Sequence, residues 1–221
     1  MSFWDVVDAK GWYFLTTLLG GWPETVKVAI ASLLFALVFG LVVALLRLSR
    51  WRLLRIPTTA YVEFFRGTPA LVQLFVIYFG FPDIGYQPSP LQAAIVGLGL
   101  NGSAYISEIY RAGIESIHRG QMEAALSLGM TPARAMRYIV LPQAMRTMLP
   151  PITTFAIVLL KDTSIVWTIG VLEIMALARQ LVTATLQANV VYLMAGAIYL
   201  CMTIPLARAA ARLERAKQAW Q

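Results

Sequence analysis

The sequence has little of several residue types that common catalytic and metal-binding sites need. It contains one cysteine, Cys201, and one histidine, His118, among 221 residues. A disulfide framework needs paired cysteines, and a metal cluster or a Ser-His-Asp triad is hard to build around one imidazole. No GxxxxGK[ST] segment is present, so a P-loop phosphate cradle is missing. We therefore expect no catalytic site, no metal site and no nucleotide-hydrolysing site in this chain. We expect Cys201 to pack between helices and His118 to be solvated.

Charge is also scarce. Only 13% of the residues are charged and 59% are hydrophobic, against about 25% and about 45–50% in a typical soluble domain. Both departures are typical of a protein that lies in lipid. The net charge of +7 lies mostly between the apolar segments, where it fits membrane topology and anionic headgroups. A nucleic-acid partner is therefore not expected.

Five apolar segments approach the length of about 20 residues that a helix needs to cross the hydrocarbon core. They are residues 25–46, 69–81 extended backward by 58–65, 91–110, 149–171 and 190–206. The apolar part of the N-terminal region, 12–19, is too short, so we interpret 1–21 as an interfacial segment anchored by aromatic residues, among them Trp4, Trp12 and Tyr13. Acidic and basic residues precede any apolar stretch there, so no cleavable signal is expected. Residues 22–212 are predicted to form one transmembrane domain, and 213–221 a basic cytoplasmic tail.

The basic residues predict the orientation. Fourteen of the 18 Lys and Arg residues lie in the segments 47–66, 111–146 and 208–217. On the opposite side lie only Lys10, Lys27 and Arg179. The positive-inside rule places the basic side in the cytoplasm. The N-terminus is therefore predicted to be outside and the C-terminus inside, which agrees with an odd number of spans.

A polar, basic insert, EAALSLGMTPARAMRYIVLP, occupies residues 123–142 between two apolar segments. Residues 123–128 favour a helix, and Gly129 fits a left-handed C-terminal stop. Thr131 fits an N-cap, with Pro132 at the first helical position. The insert is thus predicted to form two short helices joined by a tight turn. Such helices either lie on lipid headgroups or present small residues to a partner.

Lys161 and Asp162 lie near the middle of the fourth apolar segment. Each costs at least about 2.5–3.5 kcal/mol at that depth, so a functional interpretation is the default. Neighbouring helical residues point about 100° apart, so each side chain needs its own partner or a watery cavity. Contact with a substrate and interhelical salt bridges both remain open.

The third segment carries Asn101, Tyr105 and Glu108 on one helical stripe. We expect the stripe to face the bundle interior, and we expect Glu108 to pair with Arg111 one turn later. Asn101 is predicted either to line a pathway or to bond a neighbouring helix.

The second segment opens with FRGTPALVQLF. Thr68 and Pro69 are predicted to form an N-cap and N1 pair at a positive helix end, with Gln73 one turn deeper. Such an end suits the carboxylate of a substrate, although we favour a plain helix start beside the headgroups as the explanation of these residues.

The insert resembles the EAA loop of ABC-importer permeases. The residues that carry the resemblance are Glu123, Ala124, Ala125, Gly129, Ile139, Leu141 and Pro142. The stretches FRGTPALVQLF, SEIYRAGIESIHRGQMEAALSLGMT and LLKDTS are similar to the polar amino-acid branch of that family. The resemblance implies an all-α membrane protein of the type I importer permease fold, with five transmembrane helices, in the bacterial inner membrane. It implies a second permease chain, identical or related, a cytoplasmic ABC ATPase dimer that binds ATP and Mg, and an extracytoplasmic solute-binding protein.

The resemblance also implies residue roles. Glu123, Ala124, Ala125 and Gly129 would dock into a groove of the ATPase, and Asp162 would hold the substrate ammonium. Lys161 or the helix start at Thr68 would favour the carboxylate, with Gln73 and Asn101 completing the site. Relatives that carry basic or amide amino acids often have Asn-Glu where this chain has Thr154 and Phe155, so acidic, neutral or modified amino acids are expected. An ion-gradient-driven transporter or a channel-like protein is the alternative, although no inverted repeat is visible.

Overall fold

The computed structural model describes residues 3–218, and every regular element in that part of the chain is helical. The α-helices are α1 (Phe3–Leu19), α2 (Trp22–Arg47), α3 (Arg52–Gly67), α4 (Ala70–Gly80), α5 (Pro90–Glu115), α6 (Arg119–Ser127), α7 (Pro132–Ala135), α8 (Leu141–Asp162), α9 (Ile174–Thr185) and α10 (Ala188–Gln218). Two 3₁₀ segments, Phe81–Ile84 and Thr163–Ile169, and a π-helical segment, Met136–Val140, lie between them.

Helices α2 and α5 form the centre of the bundle. They approach so closely that a Cβ atom on Gly99 would lie 2.6 Å from the Phe35 ring, and one on Gly40 would lie 2.9 Å from Ile106. Small residues allow such contact between helices that have no hydrophobic driving force in lipid. Residue numbers rise together along this contact, so α2 and α5 are parallel. On the other side of α5, Phe155 of α8 lies against Gly102.

Helix α8 runs antiparallel to α5, because its Met148 lies beside Gly113 while its later residue Phe155 lies beside Gly102. Helices α2, α5 and α8 correspond to predicted segments one, three and four. If successive spans alternate in direction, the first and third are parallel and the fourth is antiparallel to both. The relative directions of these three helices therefore agree with the predicted topology.

Within the described residues, three helical runs have the length and apolar character of membrane spans, Trp4–Arg47, Pro132–Ile169 and Ala188–Arg215, and a fourth candidate is a bent pair of helices. Helix α5 is long enough at 26 residues, yet it is not among them. Many of its residues are buried glycines, alanines and serines. A helix surrounded by other helices needs small residues more than strongly apolar ones. The mean hydropathy of α5 is therefore lower than that of a helix that faces lipid.

The N-terminal region is more structured than its short apolar stretch indicated. Helix α1 has 17 residues, and its Phe14 and Leu18 are fully buried in a cluster with α9 and α10. The run of α1 and α2 has 44 residues, or about 66 Å at 1.5 Å per residue, roughly twice the thickness of the hydrocarbon core. Trp4, Trp12 and Tyr13 are exposed on α1.

The C-terminal region brings one addition and one correction. Helix α10 continues to Gln218, so the predicted tail is helical as far as the structure describes it, and residues 219–221 lie outside the described part. Cys201, which we expected to pack between helices, is instead exposed. It lines an apolar groove of about 920 Å³ between α1, α2, α8 and α10.

The second predicted span is not one helix. Helices α3 and α4 meet at an angle of 107°, because Pro69 pushes Thr68 into an extended conformation with φ −116° and ψ 148°. The predicted cap is shifted by one residue, since Pro69 occupies the N-cap of α4 without a side-chain bond. The Thr68 hydroxyl instead donates back to the carbonyl of Phe64, at 2.8 Å. We call the bend at Thr68 and Pro69 the elbow.

Candidate functional site

The predicted turn of the polar insert is present. Gly129 has φ +80°, and its N–H donates to the carbonyl of Leu126 at 2.9 Å. The N–H of Met130 donates to the carbonyl of Ala125 at 3.1 Å. These two bonds define a Schellman motif that ends α6, and a left-handed glycine is its usual C′ residue. A Cβ atom on Gly129 would meet nothing within 4 Å, so its requirement is conformational and not steric.

The two sides of α6 differ. Glu123 and Ala124 are exposed, and Leu128 beyond the helix end is 85% exposed. Ala125 is only 4% exposed and faces the chain itself. The side-chain amide of Gln121 accepts a bond from that of Gln143 at 3.2 Å, which ties α6 to the start of α8. The outward side of α6, with its small and apolar residues, is therefore free for a partner.

The caps of the insert follow the sequence. The Thr131 hydroxyl accepts the N–H of Arg134 at 3.4 Å, and Pro132 opens α7 as predicted. His118 is exposed as predicted and adds a cap, since its Nδ1 accepts the N–H of Gly120 at 3.1 Å. Helix α6 thus begins at Arg119, four residues earlier than the favoured run indicated.

Lys161 and Asp162 lie at the C-terminal end of α8, where the chain tightens into the 3₁₀ segment. Neither side chain forms a hydrogen bond or an ion pair with any residue between 3 and 218. Within this part of the chain, therefore, neither Lys161 nor Asp162 forms the interhelical salt bridge that was one of the two explanations. Lys161 is exposed and lines a cavity of about 370 Å³ with Tyr192 and Tyr199 of α10. Asp162 is half-buried on the neighbouring side of the helix.

The structure brings Thr68, Gln73 and Asn101 together at the elbow. The Gln73 amide nitrogen donates to the carbonyl of Phe65 at 2.9 Å, and to the carbonyl and hydroxyl of Thr68 at 3.0 and 2.8 Å. The Asn101 amide nitrogen donates to the Gln73 side-chain oxygen and to the Phe65 carbonyl, both at 3.0 Å. The last carbonyls of α3 have no partner within their own helix, and an unpaired carbonyl in lipid is costly. These three side chains therefore hold the elbow against α5.

Glu108 forms the predicted pair with Arg111 at 2.7 Å. It also pairs with Arg47 at the end of α2 and lies 3.9 Å from Arg66 at the end of α3. The Arg66 guanidinium in turn lies 5.4 Å from the centre of the Tyr105 ring. Tyr105 is 37% exposed, and its ring stacks on that of Phe155 of α8, so the predicted stripe faces neighbouring helices with Tyr105 at its exposed edge. The long-range partners of Glu108 could not be read from spacing along one helix.

One buried carboxylate, Glu173, was not predicted from the sequence. Glu173 is fully buried and caps α9, accepting the N–H groups of Met175 and Ala176 at 2.8 and 2.9 Å. It also accepts the hydroxyl of Tyr199 of α10 at 2.8 Å. The backbone N–H of Ile174, the residue after Glu173, donates to the Thr25 hydroxyl of α2 at 3.4 Å. An acidic residue just before the apolar spacing of 174, 177, 178 and 181 was the available signal for a capped helix. No group of three or more potential metal ligands occurs in the described part.

A bundle of long apolar helices is typical of a multi-pass membrane protein. Residues 36–218 match the family described as binding-protein-dependent transport system inner membrane component. The chain belongs to this family of ABC-transporter permease subunits, which contain no ATPase site of their own.

Two curated relatives come from Bacillus subtilis (strain 168). The probable amino-acid permease protein YxeN is 41% identical over 85% of each chain. The L-cystine transport system permease protein TcyB is 39% identical, over 89% of this chain and 83% of the relative. A chain of a solved amino acid ABC transporter with histidines is similar with a TM-score of 0.88 and 34% identity, over 98% of this chain and 99% of that one. Family membership favours the permease interpretation over an ion-gradient-driven transporter or a channel.

Proposed function

We propose that this chain is one half of the membrane passage of an ABC importer for polar amino acids, driven by ATP hydrolysis on partner subunits. The observation that carries the proposal is the attachment of α6. Its inner side is fixed to the chain through Ala125 and the Gln121–Gln143 bond, while Glu123 and Ala124 face outward. A helix held in this way can pass a partner's movement into the bundle.

The proposed spans are α2, the bent pair α3–α4, α5, α8 and α10. The N-terminus lies outside and the C-terminus in the cytoplasm of a bacterial cell, with the chain in the inner membrane. The bias of 14 basic residues to one side among the 18 Lys and Arg residues supports this orientation. Helix α5 counts as a span because its small residues pack against α2 and α8.

The proposed partners are a cytoplasmic ABC ATPase dimer, which binds ATP and Mg, a second permease chain and an extracytoplasmic solute-binding protein. Glu123, Ala124 and Gly129 form the docking side of the insert. Ala125, which was predicted to dock as well, packs inward, and its proposed contribution is to fix α6 to the bundle.

Helix α8 connects the insert to Lys161 and Asp162, so movement of α6 can reach these two residues. Helix α8 starts beside the insert and has 22 residues, or about 33 Å, before it ends at Lys161 and Asp162. We propose that these two residues meet the carboxylate and the ammonium of a zwitterionic substrate, because a zwitterion must have both charges matched in a low-dielectric site. Thr68, Gln73 and Asn101 complete the proposed site. Their mutual hydrogen bonds support a positioning role at the elbow.

The substrate proposal is tested by reconstitution with the ATPase and the binding protein in liposomes, followed by a screen with labelled acidic, neutral and basic amino acids. Asp162→Asn should lower ATP-driven uptake at least about tenfold, since one matched charge is worth well over 1.4 kcal/mol in such a site. Asp83→Asn, in the exposed 3₁₀ turn, is the matched control. Unchanged uptake in Asp162→Asn would remove that residue from the mechanism. Uptake that follows an ion gradient without ATP would refute the importer proposal.

The coupling proposal has a separate readout. Glu123→Arg should weaken co-purification of the ATPase and lower uptake, whereas Glu214→Arg, on the exposed C-terminal part of α10, should change neither. Normal attachment together with substrate-stimulated hydrolysis in Glu123→Arg would show that the outward side of α6 is not the docking surface.

A further inference from the structure

Helix α3 crosses α5 within a short stretch and does not run alongside it. The Tyr61 hydroxyl donates to the carbonyl of Leu100 at 2.8 Å and lies 2.6 Å from the hydroxyl of Ser103. Its ring lies 5.9 Å from that of Phe39 of α2. Four residues later along α3, Phe65 still meets the same turn of α5, since its carbonyl binds Asn101. A helix parallel to α5 would have moved on by about 6 Å over those residues.

The depth of this crossing follows from α2. Phe39 and Val43, which contact α3, precede the last residue of α2, Arg47, by eight and four positions. At 1.5 Å per residue, α3 lies about 6–12 Å inside the cytoplasmic end of α2. That is the depth at which an amphipathic helix lies between headgroups and acyl chains, about 5–10 Å.

The length of α4 agrees with that depth. Its 11 residues rise about 16 Å, and the four-residue 3₁₀ segment that follows rises about 8 Å. Added to the depth of α3, they come to about 30–36 Å, close to the hydrocarbon thickness of about 30 Å. Helix α4 can therefore reach the outer side only because α3 already lies within the inner leaflet.

Helix α3 has three distinct sides. One side packs on the bundle through Tyr61, Val62 and Phe65. A second side is apolar but exposed, with Leu53 at 86%, Ile56 at 63% and Phe64 at 58%. The third side is polar. The exposed apolar residues recur at positions 53, 56, 60 and 64, so they form one continuous stripe along the helix.

Basic residues lie beside the start of this stripe. Arg50, Arg52 and Arg55 are exposed, and their side chains form no hydrogen bond or ion pair with residues 3–218. Trp51, between them, is 72% exposed. Exposed arginines, an aromatic residue and an apolar stripe on one helix are the features that bind an anionic lipid surface.

We propose that the first half of α3 is a binding site for anionic phospholipid of the cytoplasmic leaflet. The arginines at 50, 52 and 55 bind the headgroup phosphate, and Leu53 and Ile56 pack against its acyl chains. Charge complementarity selects the lipid over a second copy of this basic chain, which would bring the same arginines together. The proposal rests on the proposed orientation, in which this side of the bundle faces the cytoplasm.

The test is native mass spectrometry of the purified full chain after incubation with equal amounts of phosphatidylglycerol and phosphatidylcholine. The wild type should retain phosphatidylglycerol in preference. Arg52→Gln combined with Arg55→Gln should lower that preference on the order of 30-fold, since each arginine at a membrane surface is worth about 1 kcal/mol. Leu53→Ser combined with Ile56→Ser should lower retention of both lipids.

The matched control is Lys10→Gln with Lys27→Gln, which removes the same charge from exposed positions on the external side of the proposed orientation and should leave the preference within about twofold of the wild type. An equal loss in the control would mean that net charge, and not α3, selects the lipid, and would overturn the proposal. A second result would also overturn the proposal. If the Leu53→Ser and Ile56→Ser variant retained lipid as the wild type does but formed fewer dimers, a second copy of the chain would cover the stripe instead of lipid. The measurement needs neither ATPase nor transport, so its failure is distinct from failure of ATP-driven uptake.

Discussion

The elbow offers a quantitative test of how polar side chains stabilise this bundle. Four side-chain hydrogen bonds end on Gln73, and the residue is only 5% exposed. Such bonds are worth about 0.6 kcal/mol each on average inside membrane bundles. Gln73→Leu should therefore lower the free energy of unfolding by about 2.4 kcal/mol. The carbonyl of Thr68 is among the acceptors that lose their partner, and the elbow should loosen.

Asn101 provides the second arm of the experiment. Its side-chain nitrogen donates two hydrogen bonds, one to Gln73 and one to the carbonyl of Phe65, so Asn101→Leu should cost about 1.2 kcal/mol. The shared bond can be lost only once. The double variant should therefore cost about 3 kcal/mol, with a coupling energy of about 0.6 kcal/mol between the two sites.

The assay is unfolding of the full chain in mixed detergent and SDS micelles, followed by far-ultraviolet circular dichroism. Gln180→Leu is the control, because Gln180 is exposed on α9 and its side chain forms no hydrogen bond within residues 3–218. A loss in Gln73→Leu no larger than in the control would refute the role in the elbow. If stability were unchanged and only the KM for uptake rose, Gln73 would be a substrate contact instead.

Three further outcomes are expected. Glu108→Gln should lower the unfolding free energy by about 1.5–3 kcal/mol, because it leaves the nearly buried Arg47 at the end of α2 without a charge partner. Glu115 is 53% exposed, so Glu115→Gln should cost under about 1 kcal/mol. Unfolding of the two variants in SDS compares these losses. Glu173→Gln should cost about 1–3 kcal/mol in the same titration, since one oxygen that accepts an N–H bond is replaced by a donor. Gly129→Ala should strain the turn by about 1–2 kcal/mol at φ +80° and weaken ATPase co-purification, unlike Gly67→Ala, which has open space and no left-handed φ.

The polar insert was predicted almost completely because its signals are local. A stop glycine, a threonine cap and a proline at N1 each act within four residues, and the structure places all three as expected. Which side of α6 is free depends on what packs against it. Nothing local distinguishes Ala124, which is exposed, from Ala125, which is buried.

The elbow illustrates the opposite case. Thr68-Pro69 is a visible break in the sequence, yet apolar residues stand on both sides of it, so the two helices were predicted as one span. The bend is stable because Gln73 and Asn101 satisfy the carbonyls that the break frees. Asn101 lies 36 residues from Phe65, and no periodicity within one segment relates the two.

The sequence by itself determined that the chain lies in a membrane, which side of it carries positive charge, and where a short capped insert lies between spans. These properties follow from hydropathy, charge counting and capping, which act over one or two turns. Only the tertiary structure decided that Glu108 joins the ends of α2, α3 and α5, that Glu173 is buried and bonded to Tyr199, and that α3 and α4 meet at a sharp bend. Each of these depends on helices far apart in sequence, because a polar group in a low-dielectric bundle is satisfied by whichever partner the packing brings to it.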